Sequence, residues 1–345
     1  MVDPTARKPD ERLGPADVVQ RLWEGEAGVA GRLLGAVLAP AELGYRAVIG
    51  ARNAAYGAGF ASTDDPPVPA ISIGNITVGG TGKTPMVRWL VRRLVKMGFT
   101  PGILHGGYAE DEPALHRRWF PELPVIAEKD RLRAAGRALE LGADVLVLDD
   151  AFQHRRIGRD LDIALVAAET WSPHPRLLPR GPYREPPGAL RRADLVVITR
   201  RTASGETAAR AELDVARISD RRTARVLLRP SGWVFPDGRL RPSPPPDRAI
   251  GVAGVARPDD FFDQAEDAGA DLFDAIAFPD HHAFTASEAG ALLRLADGGP
   301  IVMTAKDAVK LAPLMEQGDL WVLEQEVVFE SGRDGVVRAV EETVT

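Results

Sequence analysis

The stretch Ile71-Ser-Ile-Gly-Asn-Ile-Thr-Val-Gly-Gly-Thr-Gly-Lys-Thr-Pro85 constrains this chain more than any other. It reads as a buried strand, a glycine-rich turn and a helix opening at Lys83. The helix follows from Val87, Leu90, Val91, Leu94 and Val95, spaced i, i+3, i+4, with Arg88, Arg92, Arg93 and Lys96 opposite. Gly98 supplies the stop. Gly79, Gly80 and Gly82, with Thr81 among them, let backbone N–H groups approach a phosphate chain, and the helix N-terminus adds a positive dipole end. Lys83 is placed to reach the β- and γ-phosphates of ATP, and the Thr84 hydroxyl to ligate Mg²⁺. The strict pattern G-x-x-x-x-G-K-[ST] asks for glycine at position 77, where this chain has Thr77. A glycine-rich turn that binds nothing is the competing interpretation. The strand–loop–helix context favours a nucleoside triphosphate site.

A chain of 345 residues points to two domains rather than one. Its net charge of −6 argues against a nucleic-acid binder, for which a basic excess is expected. The absence of cysteine removes disulfides and thiolate metal sites, and fits a reducing compartment. Residues 1–20 are polar, carry Pro4, Pro9 and Pro15, lack the layout of a secretory signal and are expected to fray. No uncharged apolar run approaches the ~20 residues that span a bilayer. The expectation is a soluble or surface-bound cytoplasmic protein.

Between Leu22 and Tyr56 the sequence turns apolar. Leu34, Val37, Leu38, Ala41, Tyr45 and Val48 fall on one helical face, Arg32, Glu42 and Arg46 lie off it, and Pro40 is expected to split or kink the segment. Two interpretations stay open: a helix packed on the domain, or an amphipathic element on a membrane surface. Beyond the glycine-rich turn, Pro101–His105 reads as a strand and Asp130–Leu141 as a helix. Ala143-Asp-Val-Leu-Val-Leu-Asp149-Asp150 reads as a buried parallel strand carrying two acids to the carboxyl edge of the sheet, where ligands bind. An acid there serves Mg²⁺, directly or through water; a surface pair capping the next turn is the rival. Strands at Leu161–Val166 and Ala193–Ile198 follow. Leu177-Leu-Pro-Arg-Gly-Pro-Tyr-Arg-Glu185 is too polar and proline-rich for a strand and reads as a loop along the site.

A second unit follows, with helix 203–225, a hairpin around Pro236-Asp-Gly238, a polyproline connector at 241–246, and renewed strand–helix alternation from Ala249 to Leu323. The predicted class is α/β: a P-loop NTPase-type, mostly parallel sheet with a second, smaller α/β domain and N-terminal amphipathic helices. The predicted division is 1–63 for the tail and amphipathic helices, 64–202 for the P-loop core and 203–345 for the C-terminal domain.

Outside the P-loop, Asp111-Glu112 reads as part of the loop after the second strand, and Asp280-His281-His282 as a loop of the second unit. A kinase needs its acceptor hydroxyl held and deprotonated near the γ-phosphate, and a carboxylate with an imidazole partner can do both. The rival roles are metal ligation by the two histidines and capping of the helix near 285 by Asp280. Gln153-His-Arg-Arg156 and Arg180, Arg184, Arg191 and Arg192 form a basic series that suits phosphates on an acceptor or a lipid.

Together these blocks resemble the tetraacyldisaccharide 4′-kinase family of lipid A biosynthesis. The resemblance runs from about Leu43 to Leu311 and rests on Gly74-Asn-Ile-Thr-Val-Gly-Gly-Thr-Gly-Lys-Thr-Pro85, Leu148-Asp-Asp-Ala-Phe-Gln-His-Arg-Arg156, Arg159-Asp-Leu-Asp-Ile163, Leu178-Pro-Arg-Gly-Pro-Tyr-Arg-Glu185, Phe278-Pro-Asp-His-His282 and Thr304-Ala-Lys-Asp-Ala-Val-Lys310. The family carries Thr or Ser where the strict P-loop has its first glycine, as here. The resemblance implies transfer of the ATP γ-phosphate to the 4′-hydroxyl of a tetraacylated, 1-phosphorylated glucosamine disaccharide at the cytoplasmic face of the inner membrane. It implies that Lys83 and Thr84 serve the phosphates and Mg²⁺, Asp149 and Asp150 the metal, and Asp111 with His281 the acceptor. Gln153, Arg184 and Glu185 would line the substrate site. It further implies two units closing as a hinge, N-terminal helices touching the membrane, and a monomeric enzyme.

The chain departs from that family where His105-Gly106-Gly107-Tyr108 replaces Ser-Arg-Gly-Tyr, where the stretch up to Asp111 is markedly shorter, and where Ala305 replaces Glu before Lys306. Two other readings remain at this level. A ParA-like ATP-gated switch would hydrolyse ATP without a phosphorylated product, though its loop usually has an extra lysine where Thr77-Val78 stands. A lapsed family member would bind lipid without catalysis.

Overall fold

The computed structural model describes residues 28–107 and 110–345, together with Val19, Leu22 and Trp23. The expected fraying of residues 1–20 and the role of Tyr108 therefore lie outside the described residues, Val19 apart.

Helix α1 spans Gly28–Gly57. The first half then alternates: β1 (Ala70–Asn75), α2 (Lys83–Lys96), β2 (Pro101–His105), α3 (Asp111–Trp119), β3 (Val125–Ala127), α4 (Arg131–Glu140), β4 (Val145–Asp149), β5 (Leu161–Ala167) and β6 (Leu195–Arg200). Helix α5 (Gly205–Ser219) leads into the long β7 (Arg222–Val234), which turns through the predicted hairpin into β8 (Leu240–Arg241). The second half comprises β9 (Ala249–Ala253), α6 (Pro258–Asp267), β10 (Leu272–Ala277), α7 (Ala286–Ala296), β11 (Pro300–Thr304), α8 (Ala305–Leu311), β12 (Asp319–Ser331) and α9 (Arg333–Val344).

All strands join one sheet in the order β10-β9-β11-β12-β7-β6-β5-β1-β4-β2-β3, with β8 on β7. Every pairing from β7 to β3 on that path is parallel, as expected of strands joined by helical crossovers. The pairing of β12 with β7 is antiparallel, and it joins the two halves. β1 is buried along its whole length, which its apolar run anticipates. The inward row of α2 (Met86, Val87, Leu90, Val91 and Leu94) packs on Ile71, Ile73, Ile103, Val145 and Val147. That apolar layer holds the glycine-rich turn against the sheet edge.

Three expectations change. Pro40 does not end α1, because both halves of the helix are docked. Gly35 lies against the Arg176 and Arg180 side chains, while Tyr45 donates to the Arg184 carbonyl and Asn53 to Glu185. Glu42, placed off the packed face by the periodicity, is buried and accepts from the Leu177 N–H and from Arg180. Val37 and Val48, on the apolar helical face whose partner the sequence left open, are 74% and 66% exposed. The third change is at Asp111 and Glu112, which open α3 rather than sitting in a loop; acids in a first turn suit the helix dipole. The segment Gly31–Gly57 is also long and apolar enough, by length and composition, to cross a membrane.

Candidate active site

The glycine-rich turn, α3 and the loops of the second half enclose a cavity of about 440 Å³. Its floor is Gly79 to Thr84, and Asp150 and Arg184 stand on one side. Residues following β9 and β10, and the start of α8, close the opposite side, among them Arg257, His281 and Lys306.

The turn is built as a cradle. Gly82 caps α2 at φ 83°, and a Cβ there would collide with Leu228, so backbone alone fits. Asn75 Nδ2 donates to Thr81 Oγ1 at 2.8 Å, and Thr199 Oγ1 donates to the Thr81 carbonyl at 3.0 Å. Thr77 is tolerated because it is not a left-handed position: it bridges Tyr183, and the next N–H, of Val78, donates to the Pro182 carbonyl. The proline-rich 177–185 segment thus braces the turn from one side, as the loop laid along the site.

Lys83 extends from the first position of α2 to within 3.6 Å of Asp150. Asp150 sits just past β4 in left-handed backbone at φ 52° and also accepts from Arg184 at 3.1 Å. Burial raises its carboxyl pKa, but Lys83 and Arg184 more than offset that and leave it below the ordinary range. Thr84 Oγ1 is 3.4 Å from Glu112 Oε1. Hard oxygen donors at Thr84, Asp150 and Glu112, grouped beside a lysine and backbone amides, suit a magnesium-bound polyphosphate.

The two predicted metal carboxylates separate. Asp150 faces the cavity, whereas Asp149 is 1% exposed and turns toward His105 Nδ1 (3.5 Å) and His116 Nε2 (3.7 Å). Burial pushes the Asp149 carboxyl up, and the imidazoles with Lys83 outweigh it downward. Burial lowers His105 to about 3.

Asp111 and His281 meet as the sequence suggested. The His281 Nδ1 lies 2.9 Å from Asp111 Oδ2, and left-handed backbone at φ 60° aims the ring. Lys306 and Lys310 come within 3.9 and 3.6 Å of the same carboxylate. Burial raises the Asp111 pKa, but His281, Lys306 and Lys310 hold it well below the usual carboxylate range. The bond to Asp111 in turn raises His281. The other two roles are filled otherwise: His282 bonds Glu288 at 3.0 Å, and Thr285 caps α7 in a capping box.

Of the predicted substrate residues, Arg184 reaches the cavity, while Gln153 and Glu185 stand behind it. Gln153 Nε2 donates to the Asn75 carbonyl at 2.8 Å and to Glu185 at 3.2 Å. Glu185 is 1% exposed and clamped by both guanidinium nitrogens of Arg192 at 2.8 and 2.9 Å. These two therefore support the P-loop and α1 from behind. Sequence reading missed Glu112 and Lys306 as cavity residues, although both sat inside quoted motifs. Lys306 Nζ is 3.2 Å from Glu112 and 3.3 Å from His281 Nε2, and burial lowers its pKa less than Glu112, Asp111 and Asp280 raise it.

The sequence model of LpxK, tetraacyldisaccharide-1-P 4′-kinase, matches residues 34–344. The chain belongs to this family. A tetraacyldisaccharide 4′-kinase of Anaeromyxobacter dehalogenans (strain 2CP-C) is 39% identical over 324 residues, covering 85% of each chain. That of Geobacter sulfurreducens is 39% identical over 313 residues, covering 83% of this chain and 87% of its own. The crystal structure of LpxK from Aquifex aeolicus in complex with ATP superposes with a TM-score of 0.73 at 27% identity, over 90% of this chain and all of that one. In LpxK terms, the α/β fold with its N-terminal apolar helix is the family fold.

Proposed function

We propose that this chain phosphorylates the 4′-hydroxyl of tetraacyldisaccharide 1-phosphate at the expense of ATP, in lipid A biosynthesis. Family membership supports a kinase over an ATP-gated switch. The observation that carries the residue roles is that His281, bonded to the buried Asp111, lines the same cavity as Lys83.

In this reading Gly79 to Thr84 hold the phosphate chain by backbone N–H groups, and Lys83 neutralises charge on the β- and γ-phosphates. Thr84 and Asp150 would hold Mg²⁺, which would supply positive charge against the charge that develops on the phosphates. Asp111 takes the proton of the acceptor hydroxyl as its oxygen bonds the γ-phosphorus and the bond to the ADP oxygen breaks. His281 orients that carboxylate through Nδ1. Arg184 meets the polyphosphate or the acceptor.

The hinge and the division at residues 63 and 202 are part of the same proposal. The long β7–β12 ribbon links the two halves, and the cavity opens between them. Membrane contact at a cytoplasmic surface is proposed for α1, whose outward Val29, Leu33, Val37, Leu43 and Val48 are exposed while its inner face is bonded to the 177–185 segment. We propose a monomer.

Transfer of ³²P from γ-labelled ATP to purified tetraacyldisaccharide 1-phosphate tests the reading, with Lys83→Ala as control. A labelled, Lys83-dependent lipid is the expected result. ATP binding without labelled lipid would favour a lapsed enzyme or another acceptor.

A further inference from the structure

Behind the nucleotide cavity lies a second cluster to which the roles proposed above assign nothing. His105 at the end of β2, His116 in α3 and Asp149 at the end of β4 converge in the interior, 4%, 0% and 1% exposed. Their nearest ligand atoms all lie within 4.8 Å of one another, with both histidine edges to Asp149 Oδ2 at 3.5 and 3.7 Å. Those two separations are too long for good hydrogen bonds. They are close to the roughly 3.4 Å edge that ligand atoms about 2.1 Å from a tetrahedral ion would show. Among the described residues, both oxygens of Asp149, both nitrogens of His116 and Nε2 of His105 have no hydrogen-bond partner. Three of these, the two Asp149 oxygens and His116 Nε2, belong to the groups that meet in the cluster; such orphans are costly, and native interiors resolve them with water or an ion. Two arginines border the cluster: Arg131 donates to the Asp149 carbonyl oxygen and Arg117 to that of Val125.

We propose that His105, His116 and Asp149 form a structural site for a divalent transition-metal ion of the zinc class. Two imidazole nitrogens exclude magnesium and calcium, which take oxygen ligands, and favour zinc. The fourth position goes to Asp149 Oδ1 or to a water. The ion ties β2, β4 and α3 together, and α3 opens with Asp111. It thus anchors the proposed base across the shortened stretch that precedes it.

The test uses the full chain without a histidine tag, stripped by chelator and reloaded with Zn²⁺ or Co²⁺. Wild type is expected to retain about one equivalent of zinc by elemental analysis after gel filtration, as a closed site requires. Its Co²⁺ form is expected to show the visible d–d absorption of four-coordinate cobalt, undiminished by saturating Mg·ATP. His105→Ser and His116→Ala should each lower metal retention at least about tenfold, as loss of a ligand would. Wild type that retains no metal and gives no cobalt spectrum would overturn the site, as would undiminished retention in a folded His105→Ser. If both variants fail to fold, the wild-type cobalt titration alone decides.

Discussion

Asp111 and His281 are 170 residues apart in sequence, yet His281 Nδ1 lies 2.9 Å from the Asp111 carboxylate. One opens α3 in the first half of the chain, and the other follows β10 in the second. In the proposed roles, their meeting would make the reaction depend on both halves. Asp111→Asn keeps the shape and removes the proton acceptor, so kcat should fall by roughly 10²–10⁴-fold with little change in the ATP dissociation constant. Steady-state kinetics beside nucleotide titration checks this; near-normal turnover would remove Asp111 from its role.

The same pair predicts a pH dependence. Asp111 is held below the usual carboxylate range and stays ionised throughout the working range, so it gives no limb there. His281 is raised above its ordinary value by Asp111. As pH falls through that raised value the ring becomes imidazolium, its positive charge stabilises the Asp111 carboxylate, and the base weakens. The acid limb of kcat/KM should thus show an apparent pKa above the ordinary histidine value of about 6.5. His281→Gln should abolish that limb, measured as a pH–rate profile.

Lys306 bridges Glu112 and His281 at 3.2 and 3.3 Å at the cavity wall. Its position is fixed by the start of α8: Thr304 caps the helix by accepting from the Asp307 N–H and donates to the Asp307 carboxylate, which also accepts from the Gly254 N–H at 3.0 Å. Lys306→Ala should lower kcat about tenfold, or about 1.4 kcal/mol of transition-state stabilisation, with Lys306→Arg partly restoring it. Equal kcat in the alanine variant would make Lys306 a bystander.

Glu324 of β12 is buried and pairs with Arg88 of α2 and Arg118 of α3, while Trp119 Nε1 donates to it at 3.1 Å. Burial lowers the Arg88 pKa to about 10 despite that partner. Glu324→Ala leaves two half-buried guanidinium groups without their carboxylate and should cost about 3 kcal/mol. Urea unfolding followed by circular dichroism measures it, and an unchanged midpoint would contradict the account.

The outward face of α1 offers a separate test. Val37→Glu with Val48→Glu places charges on an exposed apolar face without touching the packed one. Co-sedimentation with anionic vesicles should fall at least about tenfold. Retained binding would move the membrane contact elsewhere.

Much of this was legible because local chemistry dictated it. Gly79 to Thr84 between a buried strand and an amphipathic helix admits few structures, and β4 ending in two acids follows from one apolar run. The helix starting at Asp111 was missed because its two acids and Pro113 look like loop residues until the dipole and packing are counted. Which face of α1 meets the protein stayed open because the periodicity of small apolar residues does not decide it. Its buried Glu42 was decided by an N–H at Leu177, 135 residues away.

By itself the sequence determined the strand–turn–helix that cradles phosphate, the parallel α/β alternation and the family. These rest on spacing of a few residues, where backbone geometry and burial act within one segment. Only the tertiary structure decided that Asp150 faces the cavity while Asp149 turns to two histidines, that Glu185 supports rather than lines the site, and that Lys306 joins the Asp111–His281 pair. Each of those depends on which distant carbonyl, imidazole or ammonium fills the space opposite. Strand pairing across the whole sheet sets that, and no local pattern does.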